Sequence, residues 1–168
     1  MGLLNLGYVF IGIDPGAQGA IAYLDKTSNV IRVDDWNGDE ITMAAGIRGF
    51  MVKHAAEYHA AIEYASSMPG QGVSSVFKYG TNYGIWRGIL AANRIPFEIV
   101  HPTRWKNHMI KNKQDGGKKK AAEIATALRL WPGMAPGIVG PRGGAKDGRA
   151  EALLIAEYCR RKTLGVGE

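Results

Sequence analysis

Four acidic side chains stand where carboxylates could act together: Asp14, Glu63, Asp147 and Glu151. Asp14 ends the apolar run FIGID and Glu63 lies within AAIEYA, so each carboxylate enters a largely apolar setting and requires a partner there. Asp147 and Glu151 lie near the start of a predicted helix, where a four-residue spacing separates two side chains by about 40° around the axis. Both helix acids can therefore face one point.

Convergence of these acids would form a metal site. If the two strands are neighbours and the helix crosses their ends, four carboxylates meet, and such a cluster repels itself unless hard cations bind it. Two Mg²⁺ ions, for which Mn²⁺ can substitute, suit such a site. One ion would activate a water and the other would stabilise a leaving oxygen, which is chemistry suited to phosphodiester hydrolysis.

Each acid also has a plain structural interpretation. Asp14, followed by proline and glycine, fits a turn, and Glu63 fits a strand residue that faces solvent. Asp147 fits a helix N-cap, and Glu151 fits a first-turn acid stabilised by the helix dipole. The conjunction of all four acids favours the metal site over these separate alternatives.

Positive charge is concentrated in one part of the chain. Lysine and arginine number 21 against 15 acidic residues, which gives a net charge of +6 that is typical of a polyanion binder. Residues 104–149 contain eleven lysines and arginines and only three acids, Asp115, Glu123 and Asp147. Lys118, Lys119 and Lys120 begin a predicted helix, where the positive pole of the helix and the neighbouring lysines both repel each charge. A bound anion, such as a phosphate, would relieve this repulsion. The alternative is a helix start whose lysines are only solvated.

The elements that must position these residues follow a recognisable order. The segments YVFIGID, AIAYLD and VIRVDDW predict three strands in an antiparallel meander. Apolar spacing then predicts a helix over 42–58, a strand at AAIEYA, a helix from 74 to about 93 and a strand at PFEIVH. A short helical turn opens at Pro102, and KKKAAEIATALRLW and DGRAEALLIAEYCRRK predict two further helices. Between them, MAPGIVGPRGGAK is predicted to be a flexible loop whose Arg142 and Lys146 form a DNA clasp.

This order predicts an α/β fold with a mixed five-stranded sheet flanked by helices, although periodicity alone leaves several α/β topologies open. The length of 168 residues predicts a single domain, 1–168. No apolar run is long enough to span a membrane, and the apolar first residues lack the basic head of a secretory signal. The single cysteine, Cys159, cannot form an internal disulfide, which fits a reducing cytoplasm.

The motifs GIDPGAQGAIA, IEYASSMPGQGVSSVFKYG, HPTRWK and KDGRAEALLIAEY resemble those of the RuvC-type Holliday-junction resolvases, particularly the small bacteriophage forms. The resemblance runs through most of the chain and implies a ribonuclease H-like fold. It implies metal ligation by Asp14, Glu63, Asp147 and Glu151. The bacterial forms carry two aspartates three residues apart on the last helix, so the spacing of four here leaves open which helix acid is the closer ligand.

The same resemblance implies the activity. It implies a magnesium-dependent crossover junction endodeoxyribonuclease that acts in DNA recombination and repair. Such an enzyme works as a homodimer that cuts two opposed strands of a four-way junction, in the cytoplasm of a bacterial cell or a phage-infected host. Lysines beside the scissile phosphate are also implied, and Lys106 and the run Lys118, Lys119 and Lys120 match them in order.

Two further segments are predicted to make contacts. Met68 and Pro69, on a glycine-rich loop, could wedge between bases at the junction centre, with an ordinary surface loop as the alternative. Gly80, Gly84 and Gly88 lie in one helix beside Phe77, and each glycine costs about 1 kcal/mol relative to alanine, so a close backbone approach is expected. The approaching element is either the chain's own sheet or the same helix of a second subunit; the resemblance favours the dimer.

Three other functions are compatible with parts of the sequence. IDPGAQGAIAYLD also resembles the phosphate-binding hairpin of actin-like sugar and acetate kinases, but those enzymes use two such domains and this chain has the length of one. A non-catalytic DNA-binding protein of the same fold is disfavoured by the intact acids. A nuclease of this fold could also act on another branched or hybrid nucleic acid. Only the family resemblance favours a junction resolvase over this alternative.

Overall fold

The five strands of the protein form one mixed sheet in the order β3-β2-β1-β4-β5 in a computed structural model, which describes residues 4–66, 70, 72–110, 119–139, 144 and 146–167. The side chains of residues 4, 5, 119 and 120 are not described. β1 pairs antiparallel with β2, and β2 with β3, while β1–β4 and β4–β5 are parallel. The predicted meander and mixed five-stranded sheet are therefore confirmed. The strands are β1 (Leu4–Asp14), β2 (Ala20–Asp25), β3 (Val30–Asp35), β4 (His54–Glu63) and β5 (Phe97–Val100).

Helices cover both faces of the sheet, which explains why the central strands β1 and β2 are nearly continuous apolar runs. Alternate residues of β1 face opposite layers, since Val9 and Ile11 belong to one buried cluster and Phe10 to another. α1 and α2 contribute to the first cluster, and the later helices contribute to the second. The helices are α1 (Glu40–Lys53), α2 (Val73–Ala92), α3 (Pro102–Met109), α4 (Lys119–Leu130), α5 (Ala135–Ile138) and α6 (Asp147–Leu164).

The last helix lies directly against the sheet because two glycines permit it. A Cβ atom at Gly12 in β1 would lie 2.1 Å from the carbonyl oxygen of Ala152 in α6. A Cβ at Gly148 would lie 2.2 Å from the carbonyl oxygen of Gln18, in the turn between β1 and β2. Only glycine allows backbone to approach this closely. These two contacts fix the N-terminal half of α6 over the end of β1.

Two sequence-based boundaries were wrong. The helix predicted over 42–58 ends at Lys53, and the following residues begin β4, where His54 pairs with Leu4 and Tyr58 with Val9. Hydrogen bonding to β1 therefore outweighs the local helical spacing of the apolar residues. Part of the predicted loop MAPGIVGPRGGAK is also ordered, because α5 places Ile138 fully in the core. Within the described ranges, no helix combines the length and apolar character that crossing a membrane requires.

Candidate metal centre

The ends of β1 and β4 bring two of the predicted acids together. Ile13 pairs with Ile62 in the parallel ladder, so Asp14 and Glu63 end neighbouring strands at the same level. Strand alternation turns both towards α6, on the side of Phe10 and Ala61. Asp14 is 8% exposed and Glu63 7%, and Asp14 Oδ1 accepts a 2.9 Å hydrogen bond from the backbone N–H of Gly16. The solvent-facing alternative for Glu63 is therefore wrong.

The third acid of the cluster comes from α6. Asp14, Glu63 and Glu151 each offer a carboxylate oxygen, and these three oxygens lie within 4.8 Å of one another. Asp147, one helical turn earlier, lines a cavity of about 400 Å³ together with Asp14 and Glu151. The structure thus brings three of the four predicted ligands into one group and places Asp147 on the wall of the adjoining cavity.

α3 contributes two neighbouring side chains to this group. The indole Nε1 of Trp105 donates a 2.6 Å hydrogen bond to Oε2 of Glu63, and Trp105 is fully buried. The ammonium of Lys106 lies 3.3 Å from Oε1 of Glu151 and 4.9 Å from the centre of the Trp105 ring. Lys106, which the resemblance matches to a lysine beside the scissile phosphate, therefore lies next to the carboxylates.

α4 adds a residue that sequence reasoning did not assign to the site. Oε1 of Glu123 forms an ion pair with Lys106 Nζ at 2.7 Å, and the Glu123 side chain is 2% exposed. Its second oxygen is buried and has no hydrogen-bond partner among the described residues. The signal that could have found it is its helical spacing from the fully buried Ala127, which places an acid on the inner face of α4.

Burial and like charge together make the three-carboxylate group unfavourable without a cation. Burial raises the pKa of Glu63 from 4.5 to about 7, against the hydrogen bond from Trp105, which lowers it. Burial and the nearby charge of Asp14 raise the pKa of Glu151 well above its ordinary value. Burial and the charges of Glu63 and Asp14 also raise the pKa of Tyr79, which places this α2 residue near the same acids. A region that favours protons on its carboxylates will also favour a cation that replaces them.

These donors fit a hard divalent cation. Carboxylate oxygens are the ligands that Mg²⁺, Mn²⁺ and Ca²⁺ prefer, and the described group contains no thiolate or imidazole. The adjoining cavity has room for the waters that Mg²⁺ usually retains.

The other predicted DNA-contacting residues lie in several places. Lys146 borders the site, where its ammonium lies 3.0 Å from Asp35 Oδ2, and Arg149 binds the same carboxylate at 2.5 Å. These residues line a second cavity of about 340 Å³ that shares Asp147 with the first. Met68, Pro69, Lys118 and Arg142 lie outside the described residues, as do the side chains of Lys119 and Lys120.

The glycine stripe of α2 faces away from the chain's own sheet. A Cβ added at Gly80, Gly84 or Gly88 would meet no atom of the described residues within 4 Å, so the prediction that this stripe packs against the chain's own sheet is wrong. Phe77 is 75% exposed on the same helix. Trp86 and Ile89 are buried and form the opposite, inner face.

Comparison with known proteins adds to this geometry. No family model matches the sequence, and no curated protein matches it significantly. Among solved structures, Thermus thermophilus RuvC matches with a TM-score of 0.63 at 14% identity, covering 95% of this chain and 98% of that one. T. thermophilus RuvC in complex with a Holliday junction substrate gives 0.60 at 17%, covering 96% and 98%. The yeast mitochondrial Holliday junction resolvase Ydc2 gives 0.54 at 14%, covering 95% and 80%.

The chain has the fold of RuvC. The predicted ribonuclease H-like fold is thus confirmed, and with it the resemblance on which the prediction rested. The match covers nearly all of this chain and nearly all of each RuvC chain.

Proposed function

We propose that the protein is a metal-dependent endonuclease that resolves four-way DNA junctions. The observation that carries this proposal is the group of Asp14, Glu63 and Glu151, whose oxygens lie within 4.8 Å of one another on a RuvC fold. Solved structures with this fold include RuvC bound to a Holliday junction substrate and a mitochondrial Holliday junction resolvase. The net charge of +6 suits a nucleic-acid ligand.

Asp14, Glu63 and Glu151 would hold two Mg²⁺ ions, with Asp147 as a fourth ligand from the cavity wall. Bound there, Mg²⁺ supplies activation of a water and charge stabilisation at the scissile phosphate, and Mn²⁺ can replace it. The two strand ends and α6 hold the carboxylates in fixed positions, so little rearrangement is needed when the phosphate enters. Preorganisation of this kind is a main source of catalytic power.

The remaining residues of the site bind and orient. Trp105 holds Oε2 of Glu63 and so fixes the orientation of a carboxylate that lies beside Asp14 and Glu151. Lys106 places a positive charge beside the carboxylates, where it can contact an oxygen of the scissile phosphate. Lys146 at the start of α6, with Lys118, Lys119, Lys120 and Arg142, would bind flanking phosphates, and Met68 and Pro69 would contact the junction centre.

We further propose a homodimer formed through α2. Gly80, Gly84 and Gly88 leave open space along the exposed face of the helix, and Val73 and Phe77 are 86% and 75% exposed. A second copy of α2 could approach the glycines closely and cover both apolar side chains. A twofold dimer would present two metal centres to two opposed strands of a twofold junction.

The cytoplasm is the compartment that we propose for this activity. The single cysteine, Cys159, is buried and free, as expected where thiols stay reduced.

The direct test compares cleavage of four-way junctions, linear duplexes, flaps and RNA–DNA hybrids in Mg²⁺ and in EDTA. Paired, symmetric incision of the junction in Mg²⁺ alone is the expected result. Faster cutting of a flap or hybrid would favour a nuclease of the same fold with another substrate. Junction binding without cutting in Mg²⁺ or Mn²⁺ would favour a non-catalytic DNA-binding protein.

A further inference from the structure

The ammonium of Lys106 is held by two carboxylates with different surroundings. It lies 2.7 Å from Glu123 Oε1 and 3.3 Å from Glu151 Oε1. Glu151 belongs to the three-carboxylate group, whereas Glu123 is not in that group. A cation bound at the group would draw on the oxygens of Glu151 and weaken its hold on Lys106. The contact with Glu123 would persist.

Glu123 is a costly residue if its role is only to stabilise the fold. Its side chain is 2% exposed, and Oε2 has no hydrogen-bond partner among the described residues. A buried ion pair seldom stabilises a protein more than well-packed apolar side chains of similar volume in place of both partners. The Lys106 side chain is 32% exposed, so water can still solvate its ammonium and Glu123 is not required to compensate for its burial. The contact therefore constrains Lys106 more than it stabilises the fold.

We propose that Glu123 is a positioning residue that holds the Lys106 ammonium beside the metal-binding carboxylates, ready to contact the scissile phosphate. This inference rests on the proposed nuclease function. A lysine side chain is long and flexible, and a contact fixed in advance spares the ordering that the transition state would otherwise require. The ring of Trp105, 4.9 Å from the ammonium, limits the other side of its position.

A double-mutant cycle on junction cleavage tests the proposal. Glu123→Gln keeps the shape of the side chain and removes its charge, and Lys106→Met removes the ammonium. In single turnover at saturating Mg²⁺, we expect Glu123→Gln to slow cleavage about 10- to 100-fold, as loss of a residue that orients an active-site group commonly does. In the Lys106→Met background the same substitution should have no further effect, because its target is gone.

Two measurements separate positioning from a structural role. Glu123→Gln should melt at or above the temperature of the parent, and its junction affinity in Ca²⁺ should match that of the parent. Glu98→Gln breaks another lysine–glutamate contact, that of Glu98 with Lys162, and should leave cleavage unchanged. Parental rates for Glu123→Gln, or equal slowing by it in the presence and absence of Lys106, would overturn the proposal.

A measurement that uses no DNA can test the contact of Glu123 with Lys106 even if the proposed nuclease function is wrong. In the Mg²⁺-loaded protein, the side-chain ¹⁵N resonance of Lys106, assigned by its loss in Lys106→Met, should shift or broaden in Glu123→Gln. An unchanged resonance contradicts positioning by Glu123 whether or not the protein cuts junctions. A changed resonance in a protein that cuts no junction supports the contact and contradicts only the nuclease function.

Discussion

Trp105 and Glu63 are joined by a 2.6 Å hydrogen bond between the indole Nε1 and Oε2 of the carboxylate. The bond connects the first turn of α3 with the end of β4, and both side chains are buried. It lowers the pKa of Glu63, whereas burial raises it. The hydrogen bond therefore favours the charged carboxylate that a cation requires, and it fixes the orientation of that carboxylate.

Trp105→Phe should weaken metal binding more than it weakens the fold. The phenyl ring keeps most of the buried apolar area but cannot donate to Glu63. We expect the Mg²⁺ concentration for half-maximal cleavage to rise about tenfold or more. Trp131→Phe is the matched control, since its indole donates a 2.7 Å bond to the Ser28 carbonyl and belongs to the packing of the β2–β3 turn. Equal metal dependence of the two variants would contradict the orienting role of Trp105.

Asp14→Asn and Glu63→Gln should each abolish cutting and leave junction binding at least as tight as in the parent. Each change removes a proposed metal ligand and a negative charge without removing a basic contact. Cleavage and gel-shift assays on one junction measure the two effects, with Asp25→Asn in the β2–β3 turn as a control. Ca²⁺, which accepts looser and higher coordination, should support binding with little cutting. Normal turnover by either variant would remove the metal assignment.

The two acids of α6 should differ in importance. Glu151→Gln should lose cutting as fully as Glu63→Gln, because Glu151 lies within the three-carboxylate group. Asp147→Asn should cause a smaller loss, because Asp147 lines the adjoining cavity and the three-carboxylate group consists of Asp14, Glu63 and Glu151. Single-turnover rates over a range of Mg²⁺ concentrations measure both. The structure places Lys146 at the N-cap and Asp147 in the first turn of α6, so a parental rate for Asp147→Asn would leave Asp147 only a first-turn acid.

Stability of the metal-free protein should fall as the pH rises from about 5 to 8. The pKa of Glu63 is about 7 in the folded chain and 4.5 as its ordinary value. Between these values the folded state keeps a proton that the unfolded state has released, so raising the pH favours unfolding. The pKa of Glu151 is raised too, and its effect has the same sign.

Thermal melting in EDTA should therefore show a decrease on the order of a few degrees across this range. Mg²⁺ should restore stability more at pH 8 than at pH 5, since the ion binds the ionised carboxylates. Glu63→Gln should flatten the dependence in EDTA. A melting temperature in EDTA that rises with pH would contradict the raised pKa values of Glu63 and Glu151, since it would mean that the folded protein favours their ionised forms.

Gly84→Leu should weaken dimerisation and abolish paired incision. The leucine would force apart two α2 helices that approach at the glycine stripe, although its Cβ would meet no atom of the described residues within 4 Å. Gly49→Leu in α1 is a matched control, because Gly49 is also exposed and a Cβ there also meets no atom within 4 Å. Sedimentation at micromolar concentration, with and without junction DNA, measures assembly. A strictly monomeric parent in both conditions would defeat the α2 dimer.

The sequence by itself determined the sheet and most of the helices, because both leave local periodic patterns. β1 and β2 are apolar runs ended by turns, and α2 and α6 begin within a residue of their predicted starts. Asp14 and Glu63 could be recognised as site residues for a related reason. Burying a carboxylate in an apolar strand costs free energy unless a cation or a hydrogen-bond donor pairs with it. The apolar neighbours that signal this cost are adjacent in the sequence.

Tertiary structure decided the contacts that make these acids a site. Trp105 and Glu63 are 42 residues apart, and Lys106 and Glu151 are 45 apart, so no local period relates them. The contact of Glu123 with Lys106 depends on which face of α4 is turned inwards. The position of Glu151 beside Asp14 and Glu63 depends on how closely Gly12 and Gly148 let α6 approach the sheet. Likewise, the helix predicted over 42–58 ends at Lys53 because β1 offers hydrogen bonds to the next residues. These contacts depend on packing and strand pairing between distant segments of the chain, which the local spacing of residues does not predict.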